Sequence, residues 1–289
     1  MRQHFTPQEL AEHFTLLPAE QELLANKTGA NRLGFVVLLK YFQWEGRFPE
    51  HVQDVPRAVV DHMARTLTIP GERYLQYDLE GRSARYHKEQ IRQWTGFRVG
   101  TTADADAITT WLCAHTRVDD ATPSRLTVRA LERYQALHIE PPTPGRLERM
   151  THAAQRTLEE QFFPTLSEAL KPETRQMIDT MLAESPSLPE SPIPLSLSAL
   201  KADAGRRSLD TVEGEVEKLG HFQGLMVPYT LLTPLSTRYL QRLKLRVVAE
   251  TLHELRRHPD PIRYGLVAVF CAVRAQAITD DLTDLVWLK

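Results

Sequence analysis

Apolar residues recur along this chain at three- and four-residue spacing, while alternating strand-like runs are nearly absent. That spacing stacks apolar side chains on one face of an α-helix and predicts an all-α fold. Helix punctuation agrees. Thr6-Pro7-Gln8-Glu9 joins a hydroxyl cap, a first-turn proline and an early carboxylate, and it opens a short helix through Glu12. Gly29-Ala30-Asn31 starts the next, whose Leu33, Val36, Val37 and Tyr41 form an apolar face before Gly46 and Phe48-Pro49 end it. Pro56 leads a helix carrying Val59, Val60, Met63 and Leu67, stopped by Pro70-Gly71.

Proline also divides the chain. Pro141-Pro142-Thr143-Pro144-Gly145 cannot continue a helix, because each pyrrolidine ring removes an amide donor and biases its predecessor toward extended geometry. A second cluster, Ser185-Pro186-Ser187-Leu188-Pro189-Glu190-Ser191-Pro192-Ile193-Pro194, reads as a semi-rigid polar connector. The expected organisation is multi-helical, with two or more helix-turn-helix-like or bundle modules joined by these linkers. It comprises a helical domain over 1–140, a second over 146–228 containing the Pro-rich loop 185–194, and the start of a further, incomplete helical region over 229–289. A length of 289 residues accommodates this at roughly 100–200 residues per domain.

With 42% hydrophobic and 25% charged residues the composition is that of a globular chain, not a disordered or collagenous one. The 35 Lys and Arg against 37 Asp and Glu leave a net charge of −2, so the total announces no nucleic-acid partner. Only Cys113 and Cys271 are available, too few for a disulfide framework or a four-thiolate zinc site, and a reducing cytoplasm fits. The N-terminus has no apolar core of a secretory signal, and the longest apolar stretch, 265–273, is interrupted by Arg274 short of the ~20 residues a spanning helix needs. No membrane partner is expected.

Enzyme signatures are missing: there is no Gly-x-x-x-x-Gly-Lys, Gly-x-Gly-x-x-Gly or Gly-x-Ser-x-Gly run. His253-Glu254-Leu255-Arg256-Arg257-His258 mimics a zinc-binding helix, but its histidines are five apart where one helical face needs four. Asp280, Asp281 and Asp284 are read as carboxylates at the start of a helix over 282–288 rather than a metal centre. No catalytic residue, metal or cofactor is expected.

The most specific local signal lies between Gly81 and Gly96, which bracket a helix of about four turns. Ala84, Ile91 and Trp94 fall on one side, and Arg85, Lys88 and Arg92 on a neighbouring one. With Arg82 and Arg98 these make five cations against Glu89, a net +4 over 82–98. Such a concentration repels itself unless polyanionic phosphate offsets it. His87 either donates to a phosphate or packs beside Ile91. Trp44, Trp94 and Trp111 are read as core anchors. Arg125, Arg129 and Arg133 form a second stripe at i, i+4 and i+8, on a helix whose other side carries Val128, Leu131 and Tyr134. Residues 238–263 form a third basic stretch, net +4, equally readable as a mixed surface helix. Residues 196–219 have helix-turn-helix proportions, but Asp210, Glu213, Glu215 and Glu217 suit a DNA groove poorly. There Arg206 and Arg207 in the turn are the expected DNA contacts, with the acidic helix turned outward.

Asn31-Arg32-Leu33-Gly34-Phe35, Glu45-Gly46-Arg47-Phe48-Pro49, Asp54-Val55-Pro56, Gly81-Arg82-Ser83-x-Arg85-x-His87 and Ile91-Arg92 stand in an order and spacing that resemble the N-terminal region of replicative class II transposases of the Tn-three type. His258-Pro259-Asp260-Pro261-Ile262-Arg263-Tyr264-Gly265-Leu266 and Ile278-Thr279-Asp280-x-Leu282-x-Asp284-Leu285 look like its continuation. The resemblance implies a bacterial, nucleoid-associated, sequence-specific binder of terminal inverted-repeat duplex DNA. The resemblance further implies that the Asp-Asp-Glu catalytic domain lies downstream of the matched region, so none is expected within this sequence. The partners so implied are double-stranded transposon ends, and a second copy or a full-length transposase. The binding residues expected are Arg82, Arg85, His87, Lys88, Arg92, Arg98, Arg125, Arg129, Arg206 and Arg207. The alternative is a helical protein-interaction module, such as a truncated inhibitor of transposition.

Overall fold

The structure, a computed structural model, describes residues 4–183, 196–202 and 209–287. It is all-α. Among the described residues the only extended pairing is one isolated parallel bridge between Arg98 and Ile139. The chain divides into two compact units, Met1–Ala114 with Pro123–Ala153, and His115–Thr122 with Ala154–Lys289.

The first unit begins with α1 (Pro7–Phe14), α2 (Pro18–Glu22), α3 (Gly29–Glu45), α4 (Arg57–Leu67) and α5 (Arg82–Thr95). At the start of α1 the Glu9 amide donates to Thr6 Oγ1 at 3.3 Å and the Thr6 amide donates to Glu9 Oε2 at 2.8 Å, a reciprocal cap that satisfies two orphan donors. The helix runs two residues past Glu12 and buries Leu10 and Phe14. Helix α3 is more deeply embedded than its apolar stripe predicts: every residue from 33 to 42 is buried. Phe35, Val36, Val37, Leu38 and Leu39 have no exposure, and each such burial stabilises by about 1.5–3 kcal/mol. Helices α1, α4 and α5 and a 3-10 turn at Gly71–Gln76 surround it. Gly34 lets that turn approach, since a Cβ there would sit 2.3 Å from the Tyr77 ring. Lys40, also in α3, is buried because its ammonium donates to both carboxylate oxygens of Glu20, at 2.9 and 2.7 Å.

Helices α6 (Thr102–His115) and α7 (Pro123–Ala136) and the beginning of α8 (Pro144–Ala169) complete the unit with Ile108, Leu112, Leu126, Ala130, Tyr134 and Leu147 buried. The Pro141–Gly145 cluster falls inside this unit, and its last proline opens α8, where a missing N–H costs nothing. Residues 138–140 pair with the segment after α5: the Arg98 amide donates to His138 O at 2.9 Å and the Glu140 amide to Arg98 O at 2.8 Å. Two orientations differ from expectation. Trp94 is 45% exposed, because His87 rather than Trp94 completes the buried face of α5 with Ala84 and Ile91. Val128 is 55% exposed, because α7 turns Leu126, Ala130 and Tyr134 inward.

The second unit holds the rest of α8, α9 (Pro172–Met181), α10 (Leu197–Lys201), α11 (Leu209–Gly224), α12 (Tyr229–Leu232), α13 (Thr237–Ala249), α14 (Leu252–Arg257) and α15 (Asp260–Trp287). Its centre is α15, buried at every position from 265 to 275 and packed by α9, α11 and α13. Gly265 admits Phe163, whose ring would lie 2.5 Å from an added Cβ. The helix is far longer than the apolar run seen in the sequence. Asp260–Thr283 is long and apolar enough by composition to cross a membrane, but 72% of its apolar 18-residue stretch is buried inside the protein, as in a core helix. Because α15 starts at Asp260, Asp280 and Asp281 lie within it and open no helix at 282; Asp280 accepts from Gln276 Nε2 at 2.8 Å.

Candidate nucleic-acid interface

The five cations of 82–98 do not form one ridge. Gly81 leaves its backbone extended at the N-cap and Gly96 closes the helix in the left-handed conformation, φ +74°, so α5 has the expected bounds. Its buried Ala84, His87 and Ile91 then fix which cations meet solvent. Arg82 and Arg85 are exposed in the first turn. Arg85 Nε donates to the Glu80 carbonyl at 3.1 Å, and neither residue has a carboxylate partner among the described residues.

The remaining members are engaged. Lys88 is half-buried, donates to Leu79 O at 3.2 Å and lies over the Phe48 ring at 5.7 Å; burial pushes its pKa down. Arg92 Nε donates to Glu140 Oε2 at 2.7 Å and its Nη1 to Glu89 Oε2 at 2.9 Å. Arg98 grips Asp104 through two bonds of 2.7 and 2.6 Å, which hold that carboxyl well below the usual carboxylate range. The expectation of five cations facing phosphate is therefore corrected: two are neutralised by carboxylates and one is buried along its stem.

His87 is a core residue rather than a phosphate donor. It is 4% exposed, its Nδ1 is 2.7 Å from Tyr77 Oη, its ring stacks on Tyr77 at 5.8 Å and meets Phe35 edge-on at 5.2 Å. Burial, aided by the neighbouring Lys27 ammonium, pushes its pKa down to about 4. A neutral imidazole under a tyrosine offers nothing to DNA.

Helix α7 retains its stripe. Arg125 is exposed, while Arg129 and Arg133 lie with their guanidiniums over the Trp111 ring of α6, at 5.5 and 4.9 Å from its centroid. Neither has a carboxylate partner among the described residues. Trp111 is thus half-buried beneath two arginines, a role its reading as a core anchor missed. Trp44 does pack against the core, edge to face with Phe5 and stacked on Phe14.

In the second unit the basic stretch is largely consumed internally. Arg246 pairs with Glu250 at 2.9 Å and Glu159 at 3.8 Å, Arg263 with Asp260 and Asp179 at 3.1 and 3.5 Å, and Arg256 donates to Leu182 O at 2.6 Å. His258 Nε2 contacts Glu250 at 2.7 Å and Glu254 caps α14 through Thr251, so these two residues of the zinc-like motif are engaged elsewhere. In the helix-turn-helix-like segment, Ser196 caps α10 and α11 follows, but the turn holding Arg206 and Arg207 lies outside the described residues, as does the Pro-rich loop 185–194. Not all of the acidic helix turns outward: Glu215 is buried against Lys218 at 2.7 Å and Arg274 at 3.5 Å.

One neutralising partner was readable locally. Thr101-x-x-Asp104 is a capping signature at the start of α6, with the Thr101 amide donating to Asp104 Oδ2 at 2.8 Å. Glu140, 48 residues from Arg92, carried no such signal.

Compared with known proteins, residues 1–154 match the family described as "Domain of unknown function (DUF4158)". Over 278 residues, 96% of this chain, the sequence is 21% identical to "Transposase for transposon Tn1546" of Enterococcus faecium; the chain spans 28% of that relative's length.

Proposed function

From the premise that the chain belongs to the DUF4158 family, we propose that it is a transposition-related protein that binds duplex DNA at transposon ends and does no strand-transfer chemistry itself. The observation that carries this reading is the similarity to a transposase, which runs along nearly the whole chain rather than through one motif. The resemblance to replicative transposases of the Tn-three type adds the substrate class, terminal inverted repeats, and the partners, a second copy or a full-length transposase in a bacterial nucleoid.

The phosphate contacts are assigned to Arg82 and Arg85 in the first turn of α5, which have no carboxylate partner among the described residues, and to Arg125, Arg129 and Arg133 on α7. Arg206 and Arg207 remain candidates from sequence. Arg92 and Arg98 act through their carboxylates as braces of the unit, and His87 and Lys88 as packing residues. Phosphate contacts fix register and affinity, and base reading is left to whichever of these side chains reaches a groove edge.

Fluorescence anisotropy on repeat and scrambled duplexes tests the proposal. The repeat duplex binds more tightly, and log affinity falls linearly with log salt. An Arg82→Ala, Arg85→Ala variant lowers the steepness of that dependence by about 1.8, two phosphates at ~0.9 each. Absence of binding to either duplex at low salt overturns the reading. Exposed Val212 and Val216, one turn apart on α11 at 37% and 51%, favour as a second reading a protein-docking module. Its signature is concentration-dependent association in size-exclusion chromatography without DNA retention.

A further inference from the structure

The α7 stripe sets three like charges one helical turn apart, an arrangement that repels itself. Two of the three are held against an aromatic ring. Arg129 and Arg133 lie over one indole, Trp111, and neither is tied by a carboxylate among the described residues. The contrast with the same unit's other arginines is chemical. Arg92 and Arg98 spend their N–H donors on Glu89, Glu140 and Asp104. A guanidinium on a ring face engages its π-surface and keeps its edge donors available, while its long side chain loses freedom before any ligand arrives. Successive turns separate the two residues by about 6 Å along the helix, a spacing within reach of neighbouring phosphates on a strand that carries one per ~3.4 Å of duplex axis.

We infer that Trp111 is a positioning residue for DNA: its indole holds Arg129 and Arg133 in place with their donors turned to consecutive phosphates of one strand. This rests on the DNA-binding reading above. Trp111 touches no DNA. It acts by ordering two cations, so it contributes to affinity without contributing charge.

A double-mutant cycle on the full chain separates this from a structural role, read by anisotropy with a labelled duplex of arbitrary sequence, since phosphate contacts are sequence-independent. Trp111→Ala weakens binding about 5–10-fold, a coupling within the range for contacting residues, while the slope of log affinity against log salt stays unchanged. Trp111→Phe, which keeps a π-face, recovers most of the loss. Trp111→Leu, which keeps apolar volume alone, does not, and it serves if the alanine variant fails to fold by circular dichroism. The Arg129→Ala, Arg133→Ala variant lowers the slope by about 1.8, and adding Trp111→Ala to it has no further effect. Unchanged affinity of folded Trp111→Leu, or an equal loss in the arginine-free background, overturns the positioning role while the DNA reading stands. Wild-type protein that binds no duplex overturns both.

Discussion

His87 and Arg92, five residues apart on α5, are both drawn into internal contacts by the fold. His87 is hydrogen-bonded to Tyr77 and kept neutral by burial, so its pKa falls from the ordinary 6.5 to about 4. The unfolded chain binds the proton first as pH drops, so stability is full above pH 6.5 and declines through the window down to about 4, by no more than about 3 kcal/mol. Urea unfolding of wild type and His87→Gln across that window should show their difference shrinking as pH falls, since only wild type bears the cost of keeping His87 uncharged. Arg92 and Arg82 should separate stability from binding in the same way. Arg92→Ala leaves the Glu140 carboxylate without its 2.7 Å partner and should cost about 1–3 kcal/mol, with the salt slope of DNA binding unchanged. Arg82→Ala should leave the thermal midpoint in place and reduce that slope. Local spacing placed both arginines on a helix, but nothing within four residues of Arg92 discloses Glu140.

At the scale of elements, helix ends obey rules the residues carry themselves. Thr6 and Pro56 stand at the starts of α1 and α4, and Gly46 and Gly96 close α3 and α5 in the left-handed conformation. Which face of each helix is buried was less legible. The stripe read for α3 was one side of a helix that turned out to be buried on all sides, and the anchor read for α5 was Trp94 where the fold uses His87. Periodicity reports an apolar face, yet a helix at the centre of a unit has neighbours on every side. Close approach to such helices depends on glycine. Gly34→Ala would drive a methyl into the Tyr77 ring and should cost about 1–3 kcal/mol in chemical denaturation. Gly29→Ala meets no atom and serves as the contrast, its cost coming from its positive φ.

For the molecule as a whole, two helices organise two cores. Residues 33–42 of α3 and 265–275 of α15 are the most continuously buried backbone of their respective units. Hydrogen exchange should find the slowest amides there, with the exposed first turn of α5 exchanging sooner, because opening a fully packed helix exposes the core itself. The net charge of −2 hides a local distribution, and the fold edits that distribution further by drawing Arg92, Arg98, Arg246, Arg263 and Arg274 into internal pairs.

The amino-acid order alone determined that the chain is helical and where several of its helices begin and end, because capping, proline and glycine effects act within about a turn and need no distant partner. Only the tertiary structure decided which cations remain for a phosphate backbone, which histidine is silent, and that a tryptophan underlies the α7 arginines. Those outcomes depend on pairs such as Arg92 with Glu140 and Arg133 with Trp111, brought together by packing across gaps of chain over which sequence spacing carries no information.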